Sequence, residues 1–522
     1  MTRIPATKGA KPRHIWMVTS EISPLRTTGG LGHAVHGLSQ ALVQAGHRVS
    51  VFVPAHAQTL GITIRKGSES RKKIIIDSLM DREIIFRGKT ERAWIFRADI
   101  PFSTESSDLI KYYFIDNESG TRFSNRKVYG YADDARRYLY FNQVVAELAR
   151  LSQTGEEEQI EAPDIIHCHD WGTGYIGYFL SHVQKNQVPL VYNIHNLSYS
   201  KRLTPHAFYL LTREEDKRLY SWEGMEFYGS IDPHKTAFIF SNRIVTVSPN
   251  YKNEILSDPI PGGDTNLYAG VLQANQSKLK GILNGIPDYY GVDHFYKTGV
   301  LPESYGPDNL EGKKACRQHL QEVAELKPHD QSLLLASTGR WDEQKGTDLV
   351  LKVLPELMQD LDLQFVSIGS EARGKKFRRA FLRLKNRFPE RLAVLDFHAI
   401  PRPHLSAENL ESLALAGADA LLMPSRFEPC GLSQMYALKH GTPVIANRTG
   451  GLADTIEHGK TGFLFEGVTP ENIKQSIRDA YAIFKGNSQK WQSMIQAAMQ
   501  KDFSWKAAAQ EYIDLYQEVI QS

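Results

Sequence analysis

Arg340 and Lys345 lie in "STGRWDEQKG", between an apolar run and a helix-like one, close enough to reach a single anion. Arginine offers a planar fork and lysine a point charge, the usual pair for phosphate oxygens. Two solvated loop bases are the alternative. Glu428 in "SRFEPCGL" occupies the same kind of connection, where a carboxylate either caps the following helix or accepts hydrogen bonds from sugar hydroxyls. Cys430 beside it is a nucleophile only if a base lies near, and none is implied by its neighbours; otherwise it is a small buried residue. Asp170 in "HCHDW" and His195 in "NIHN" end apolar runs. His167 and His169 would share one face of a strand. That is half of a metal site without a third ligand at matching spacing, or simply polar groups at a strand end.

Glycines recur beside these groups. "TTGGLGHAVHGL" at residues 27–38 and "RTGGLADTI" at 448–456 share the tetrapeptide TGGL, each after an apolar run and before a helical pattern. Paired glycines let a backbone pass close to a ligand, and a helix start offers unpaired N–H groups to an anion. Neither stretch is a dinucleotide fingerprint. The pattern fails at Val35, and "VFVPAH" has no acid for a ribose. No G-x-x-x-x-G-K-[ST] occurs either, which excludes a P-loop ATPase.

The elements that must hold these loops alternate strand and helix. "HIWMVTS", the helical "HAVHGLSQALVQAG" and the strand "RVSVFVP" form a β-loop-α-β unit. Residues 62–102 predict charged hairpins on a domain edge. "ARRYLYFNQVVAELARLSQ" predicts an amphipathic helix, and "PDIIHCHDW", "PLVYNIHN" and "RIVTVSP" three more strands. The turn-rich stretch 258–277 predicts the end of a first domain. Strand-helix units resume with "KLKGILNGI" and run to "PVIANRTGGLADTIEHG", and "FSWKAAAQEYIDLYQEVIQ" closes the chain as a helix. The expected architecture is α/β: a tail over 1–13, doubly wound domains over 14–277 and 278–500, and a closing helix over 501–522. Ligands of such sheets sit outside the carboxyl ends of the strands, so both glycine loops would line one cleft.

The net charge is +3, with 62 basic and 59 acidic residues well mixed, which points to neither a nucleic-acid nor a membrane partner. No apolar run approaches a membrane span, and the basic, polar start has no signal-peptide core. Three scattered cysteines without a CxxC argue for a reducing, cytoplasmic setting.

Taken together, "SEISP…TTGGLG", "HCHDW", "NIHNLSY", "MEFYGSI", "VTVSPNY", "GILNGI", "STGRWDEQKG", "SRFEPCGLSQMYALKHGTPV" and "RTGGLADTI" resemble, in this order, the bacterial glycogen synthases and plant starch synthases. Other retaining glycosyltransferases of that fold carry a second glutamate where this chain, like those synthases, has Tyr436. The resemblance implies a GT-B fold of two facing Rossmann-like domains, with the closing helix crossing back onto the first. It also implies transfer of glucose from a nucleotide sugar, ADP-glucose rather than UDP-glucose, to the 4-hydroxyl of an α-1,4-glucan, with retention at C1. No metal and no other cofactor enters that scheme. Carried over by position, Arg340 and Lys345 would bind the donor phosphates, Glu428 would hold the transferred glucose, and His195 would sit against it. Asp170 would lie near the reacting end. Thr27, Thr28, Gly29, Gly30 and Gly32 would line the donor from the first loop. Cys430, Gly431, Leu432, Thr449, Gly450 and Gly451 would do so from the second domain, with the N–H groups of residues 450–452 meeting sugar or phosphate oxygens. Asn196 and Tyr129 would face the acceptor.

The match is uneven. Thr27 stands where the family has a phosphate-facing lysine, His33 where it has an aspartate, and Gly172 where a histidine is common. "NGIPDYYGVD" lacks the usual Trp-x-Pro. An active synthase, a glucan-binding homologue with little turnover, and a glucosyltransferase with another acceptor all remain open on these residues.

Overall fold

The computed structural model describes residues 11–56, 77–86, 89–101, 109–124, 126–209, 218–258, 266–371, 374–397 and 406–521. The chain divides into two units by its internal contacts. One comprises Met1–Val247, Leu267–Gly285 and Trp505–Ser522; the other comprises Ser248–Asn266 and Ile286–Ser504.

The first unit is built on a nine-stranded sheet in the order β11-β10-β7-β6-β1-β2-β5-β4-β3. β1 (His14–Val18), β2 (Arg48–Pro54), β5 (Leu109–Asn117), β6 (Ile165–His169), β7 (Leu190–Ile194), β10 (Arg243–Thr246) and β11 (Leu279–Gly281) run parallel. β1, β6 and β7 are buried from end to end, as parallel strands covered on both faces must be. β3 (Asp77–Phe86) and β4 (Lys89–Pro101) add an antiparallel, charge-rich edge, which blunts further pairing. The expected hairpins are thus present over 77–101; residues 62–76, 87–88 and Phe102 lie outside the described ones. A small hairpin joins β8 (Glu226–Phe227) to β9 (Ser230–Ile231).

Helix α1 (Gly30–Gln44) starts earlier than the expected His33, because both glycines after Gly29 adopt helical geometry. Its buried Ala34, Val35, Leu38, Ala41 and Leu42 form one face. Helix α2 (Asp134–Thr154) ends on Gly155, whose φ of 74° is the left-handed stop that glycine takes without strain. The closing helix Trp505–Gln521 belongs to this unit, and its Trp505 indole lies where a Cβ on Gly37 of α1 would be.

The second unit carries a six-stranded, wholly parallel sheet in the order β14-β13-β12-β15-β16-β17. Its strands are β12 (Leu333–Arg340), β13 (Leu363–Ser370), β14 (Leu392–Asp396), β15 (Ala420–Met423), β16 (Val444–Asn447) and β17 (Gly462–Phe465). The helices used below are α3 (Pro249–Ile255), α4 (Thr347–Asp360), α5 (Ala407–Gly417), α6 (Ser433–Lys439) and α7 (Gly450–Thr455). In each sheet the winding reverses once, between β1 and β6 in the first and between β12 and β15 in the second, and such switch points open a crevice at the carboxyl ends. No described helix is long and apolar enough to cross a membrane.

Candidate functional site

The carboxyl ends of β1, β6 and β7 bring together most of the groups expected in the first unit. Beyond β1, the Glu21 side chain turns back under the glycine loop at 1 % exposure. Its Oε2 accepts the Thr28 N–H (2.9 Å) and the Thr28 hydroxyl, and its Oε1 accepts the Gly32 N–H (3.3 Å) and the Thr27 hydroxyl (3.4 Å). Gly29, the residue before α1, has no side chain to cap the helix. Glu21 therefore supplies the acceptor that an N-terminal turn requires. Burial pushes its carboxyl upward and the loop's donors pull against that. The Thr27 hydroxyl also donates to Gly29 O at 2.8 Å, so this threonine braces the loop from within. His33 lies exposed in the first turn of α1.

Asp170 follows β6 with φ at 57°, a conformation that non-glycine residues hold only where their surroundings compel it. The compulsion is visible. Asp170 Oδ1 accepts the N–H groups of His195 (2.6 Å) and Asn196 (3.3 Å), and its own N–H donates to Asn193 O (2.9 Å). Burial, reinforced by the charge of Glu21, pushes its carboxyl up to about 7. The ring of His195 rests with Nε2 3.0 Å from both His169 Nδ1 and Asn193 Nδ2, and Asn193 Oδ1 in turn accepts the Tyr512 hydroxyl at 2.9 Å. Burial lowers His195 to about 3, so the imidazole is neutral at pH 7. Tyr129 bonds Ser20 Oγ at 2.5 Å and packs 5.7 Å from the Trp171 ring. The Asn196 side chain turns to its own loop, accepting the Ser198 N–H at 2.9 Å.

His167 and His169 do share a face, with ring centroids 4.2 Å apart. His167 Nδ1 meets the Tyr516 hydroxyl at 2.7 Å, and no group of three metal-ligating side chains occurs among the described residues. The glycine at 172 also has a local cause. A Cβ there would come within 3.1 Å of Ser20 and 3.2 Å of Tyr138, so a larger side chain would have to displace one of them.

In the second unit, β12 delivers Arg340, 46 % exposed, with its guanidinium on Asp342 (2.8 Å) and Gln344 (2.9 Å). Lys345 turns the other way. Its ammonium pairs with Glu428 Oε2, which also accepts the Ser425 hydroxyl at 3.3 Å. The loops after β12 and β15 are stapled together. Arg426 grips Asp348 through two 2.8 Å bonds, and Gly346, with φ at 71°, lies where a Cβ would strike Pro424 O. Glu428 is 7 % exposed. Cys430 is a buried cysteine like Cys168 and Cys316. Gly431 takes φ of 73° to leave room for the Gln434 amide, which donates to Cys430 O (2.9 Å) and Gly431 O (3.0 Å), just before Leu432 leads into α6.

The second TGGL loop supports Glu428 from beneath. Gly451 N–H donates to Glu428 O (3.1 Å) and Pro429 O (3.2 Å), Gly450 N–H to Glu254 Oε1 (2.8 Å), and Leu452 N–H to Thr449 O (3.0 Å). Each of these N–H groups has a protein acceptor here, and the loop places the Glu428 backbone. Tyr436 stacks on Tyr290 with centroids 3.6 Å apart, so an aromatic pair joins α6 to the stretch that lacks Trp-x-Pro. Sequence reasoning missed Glu21 and Glu254. Glu21 was within reach of it, since it lies just beyond the end of β1, a strand of the switch point. Glu254 was not, being distant in sequence from its partners Thr449 and Gly450.

Each unit thus presents a strand-end set: hydroxyls, buried carboxyls and a neutral imidazole in the first, two cations and a carboxylate in the second. The second set suits a phosphorylated ligand bearing hydroxyls. A sequence model of the starch synthase catalytic domain matches residues 14–300, and one of group 1 glycosyl transferases matches residues 320–498. The chain is 33 % identical over 519 residues to glycogen synthase 1 of Methylococcus capsulatus, covering 97 % of this chain and 96 % of that one. It is 33 % identical over 506 residues to the glycogen synthase of Thermus thermophilus, covering 96 % and 99 %. Among solved structures, the catalytic domain of starch synthase IV from Arabidopsis thaliana, bound to ADP and acarbose, superimposes with a TM-score of 0.81 at 25 % identity, over 98 % of this chain and all of that one. Sucrose-phosphate synthase from Thermosynechococcus elongatus shares the fold at a TM-score of 0.57 and 16 % identity, over 98 % of this chain and 99 % of that one. The architecture is the GT-B one expected from the sequence.

Proposed function

The chain belongs to the family of glycogen and starch synthases, and from that premise we propose that it moves glucose from ADP-glucose to the 4-hydroxyl at the non-reducing end of an α-1,4-glucan, with retention at C1. As the bond from C1 to the diphosphate breaks, negative charge grows on the leaving group. Fixed cations that meet this charge lower the barrier. Arg340 and Lys345 supply them, and the reading assigns that task to these side chains rather than to a metal ion. Lysine has three N–H donors, so Lys345 can hold Glu428 and a phosphate oxygen at once.

Glu428, fixed by Lys345 and Ser425, accepts from hydroxyls of the transferred glucose. Neutral His195 serves the same sugar as an uncharged hydrogen-bonding group, and Asp170 stands at the reacting end. Tyr129 and Asn196 belong to the acceptor side, and Thr27, Thr28 and the glycines that follow to the donor side. Cys430, Gly431, Leu432, Thr449, Gly450 and Gly451 line the donor from the second unit, and the same loops set the backbone that carries Glu428. No side chain takes the part of a covalent nucleophile. The observation that carries the reading is the Lys345–Glu428 pair beside Arg340, at the switch point of a parallel sheet. One observation favours a second reading, transfer to a different acceptor: Gly172 stands where a histidine is common in the family, and a Cβ there would come within 3.1 Å of Ser20 and 3.2 Å of Tyr138, so one of them would have to shift.

The test is incorporation of radiolabelled glucose from ADP-glucose into glycogen, followed by digestion with β-amylase. Label released as maltose is the expected result. Label that stays at the origin without glycogen, or that resists the amylase, would overturn the α-1,4-glucan assignment.

A further inference from the structure

Glu411 lies on the second turn of α5, whose start is capped by Ser406 Oγ accepting the Asn409 N–H at 3.1 Å. Two hydroxyls converge on one of its oxygens. Thr338 Oγ1, from the end of β12, and Ser433 Oγ, from the start of α6, each donate to Oε1 at 2.9 Å. The carboxyl is half-buried, yet Oε2 has no hydrogen-bond partner among the described residues. Burial pushes this carboxyl upward and the Lys345 ammonium pulls the other way, while burial and the charge of Glu411 raise the Tyr436 hydroxyl. Glu411 therefore bridges the strand end that bears Arg340 to the loop that bears Glu428, with one oxygen fixed and the other unused.

A carboxylate repels phosphate but accepts readily from hydroxyls, and carboxylates in parallel α/β sheets take the hydroxyls of ribose. The ligand class assigned above has hydroxyl donors on both sides of its diphosphate: glucose on one and ribose on the other. The second unit has carboxylates to match, Glu428 paired with Lys345 and Glu411 within the field of the same lysine. Resting on the donor assignment of the preceding subsection, we infer that Glu411 Oε2 accepts a hydroxyl of the donor's ribose, making Glu411 a determinant of nucleoside diphosphate recognition.

The experiment is titration calorimetry of the full chain with ADP, 2′-deoxy-ADP, 3′-deoxy-ADP and inorganic pyrophosphate, for the wild type and for Glu411→Gln. Glutamine keeps an acceptor for Thr338 and Ser433 but puts an N–H₂ group where Oε2 was. The wild type is expected to bind ADP about tenfold or more tightly than one of the deoxy compounds, as a hydrogen bond to a charged group warrants. In Glu411→Gln that preference should fall below about twofold, with pyrophosphate binding unchanged as proof of an intact site. A wild type that binds ADP without discriminating against either deoxy compound overturns the inference alone. So does a variant that keeps the preference. A wild type that binds neither ADP nor pyrophosphate overturns the donor assignment and the inference with it.

Discussion

Residues 28–31 and 449–452 are the same tetrapeptide, and both are anchored by a glutamate from elsewhere in their own unit. Glu21 takes the N–H and hydroxyl of Thr28, and Glu254 takes the Thr449 hydroxyl (3.1 Å) and the Gly450 N–H (2.8 Å). The surroundings then diverge. A Cβ on Gly29 would meet nothing within 4 Å, whereas one on Gly450 would sit 1.8 Å from Glu428 O and one on Gly451 2.0 Å from Cys430 O. The first loop's Gly29 has open space beside it, while the second loop's glycines let two backbones touch. The same letters sit in two kinds of packing. The charges differ too: the second loop supports a carboxylate paired with Lys345, while the first holds a buried carboxylate braced by neutral Thr27.

The largest contrast should be kinetic. Lys345→Ala removes the cation proposed to meet the donor phosphate and strands Glu428, so kcat/KM for the nucleotide sugar should fall about a thousandfold. Thr27→Ala should cost less than about fivefold. Equal losses would mean that the first loop carries as much of the donor's charge as the second.

Next comes packing. Gly450→Ala should lower unfolding stability by about 2–4 kcal/mol, because Gly450 holds a φ of 43° and the added methyl must displace the Glu428 carbonyl. Gly29→Ala, at an extended φ of −169°, should stay within about 0.5 kcal/mol. Denaturant melts of both variants measure the difference, and a Gly450→Ala chain as stable as wild type would break it.

A third contrast is in acid. Burial lowers His56, His167 and His195 to about 3, and His14 and His36 to about 4, all in the first unit; in the second, His440 is lowered to about 4. A histidine whose pKa is depressed on folding stabilises above its unfolded value, near 6.5, and that stability is lost as pH falls toward the folded value. Asp170, raised to about 7, works in reverse, favouring the folded state as pH drops from about 7 to 4, and Glu21 and Asp116, also pushed up by burial, act in the same direction. The histidines outnumber these carboxyls. The first unit should lose on the order of a few kcal/mol between pH 6.5 and 4, and its amides should lose hydrogen-exchange protection before those of the second. Second-unit amides opening first would contradict this.

The smallest expected effect is a gain. Thr27→Lys would place a cation beside Glu21 and should raise kcat/KM roughly tenfold, the worth of one charge-assisted contact. A fall would show the loop to be built around the threonine hydroxyl.

The parallel strands were legible because buried strands read as short, mostly apolar runs, and "HIWMV", "IIHCH" and "LVYNI" do, with polar groups only at their ends or near them. The placement of Arg340, Lys345, Glu428, Asp170 and His195 at or beyond strand ends was legible because each follows or closes an apolar run. What escaped was long-range or geometric. The start of α1 was read too late because glycines suggest a loop. Glu254 and Glu411 act on residues far along the chain, and nothing local in "NYKNEI" or "ENLESL" announces that. The occupied N–H groups of the second loop depend on how closely the Glu428 backbone approaches, which no spacing encodes.

The measurement that tests the central claim most directly is nucleoside diphosphate release by the purified chain, given ADP-glucose or UDP-glucose, each with and without glycogen, beside Glu428→Ala. The account predicts release from ADP-glucose that requires glycogen and that disappears in Glu428→Ala. Release that persists in that variant, or no glycogen-dependent release from either donor, would contradict it.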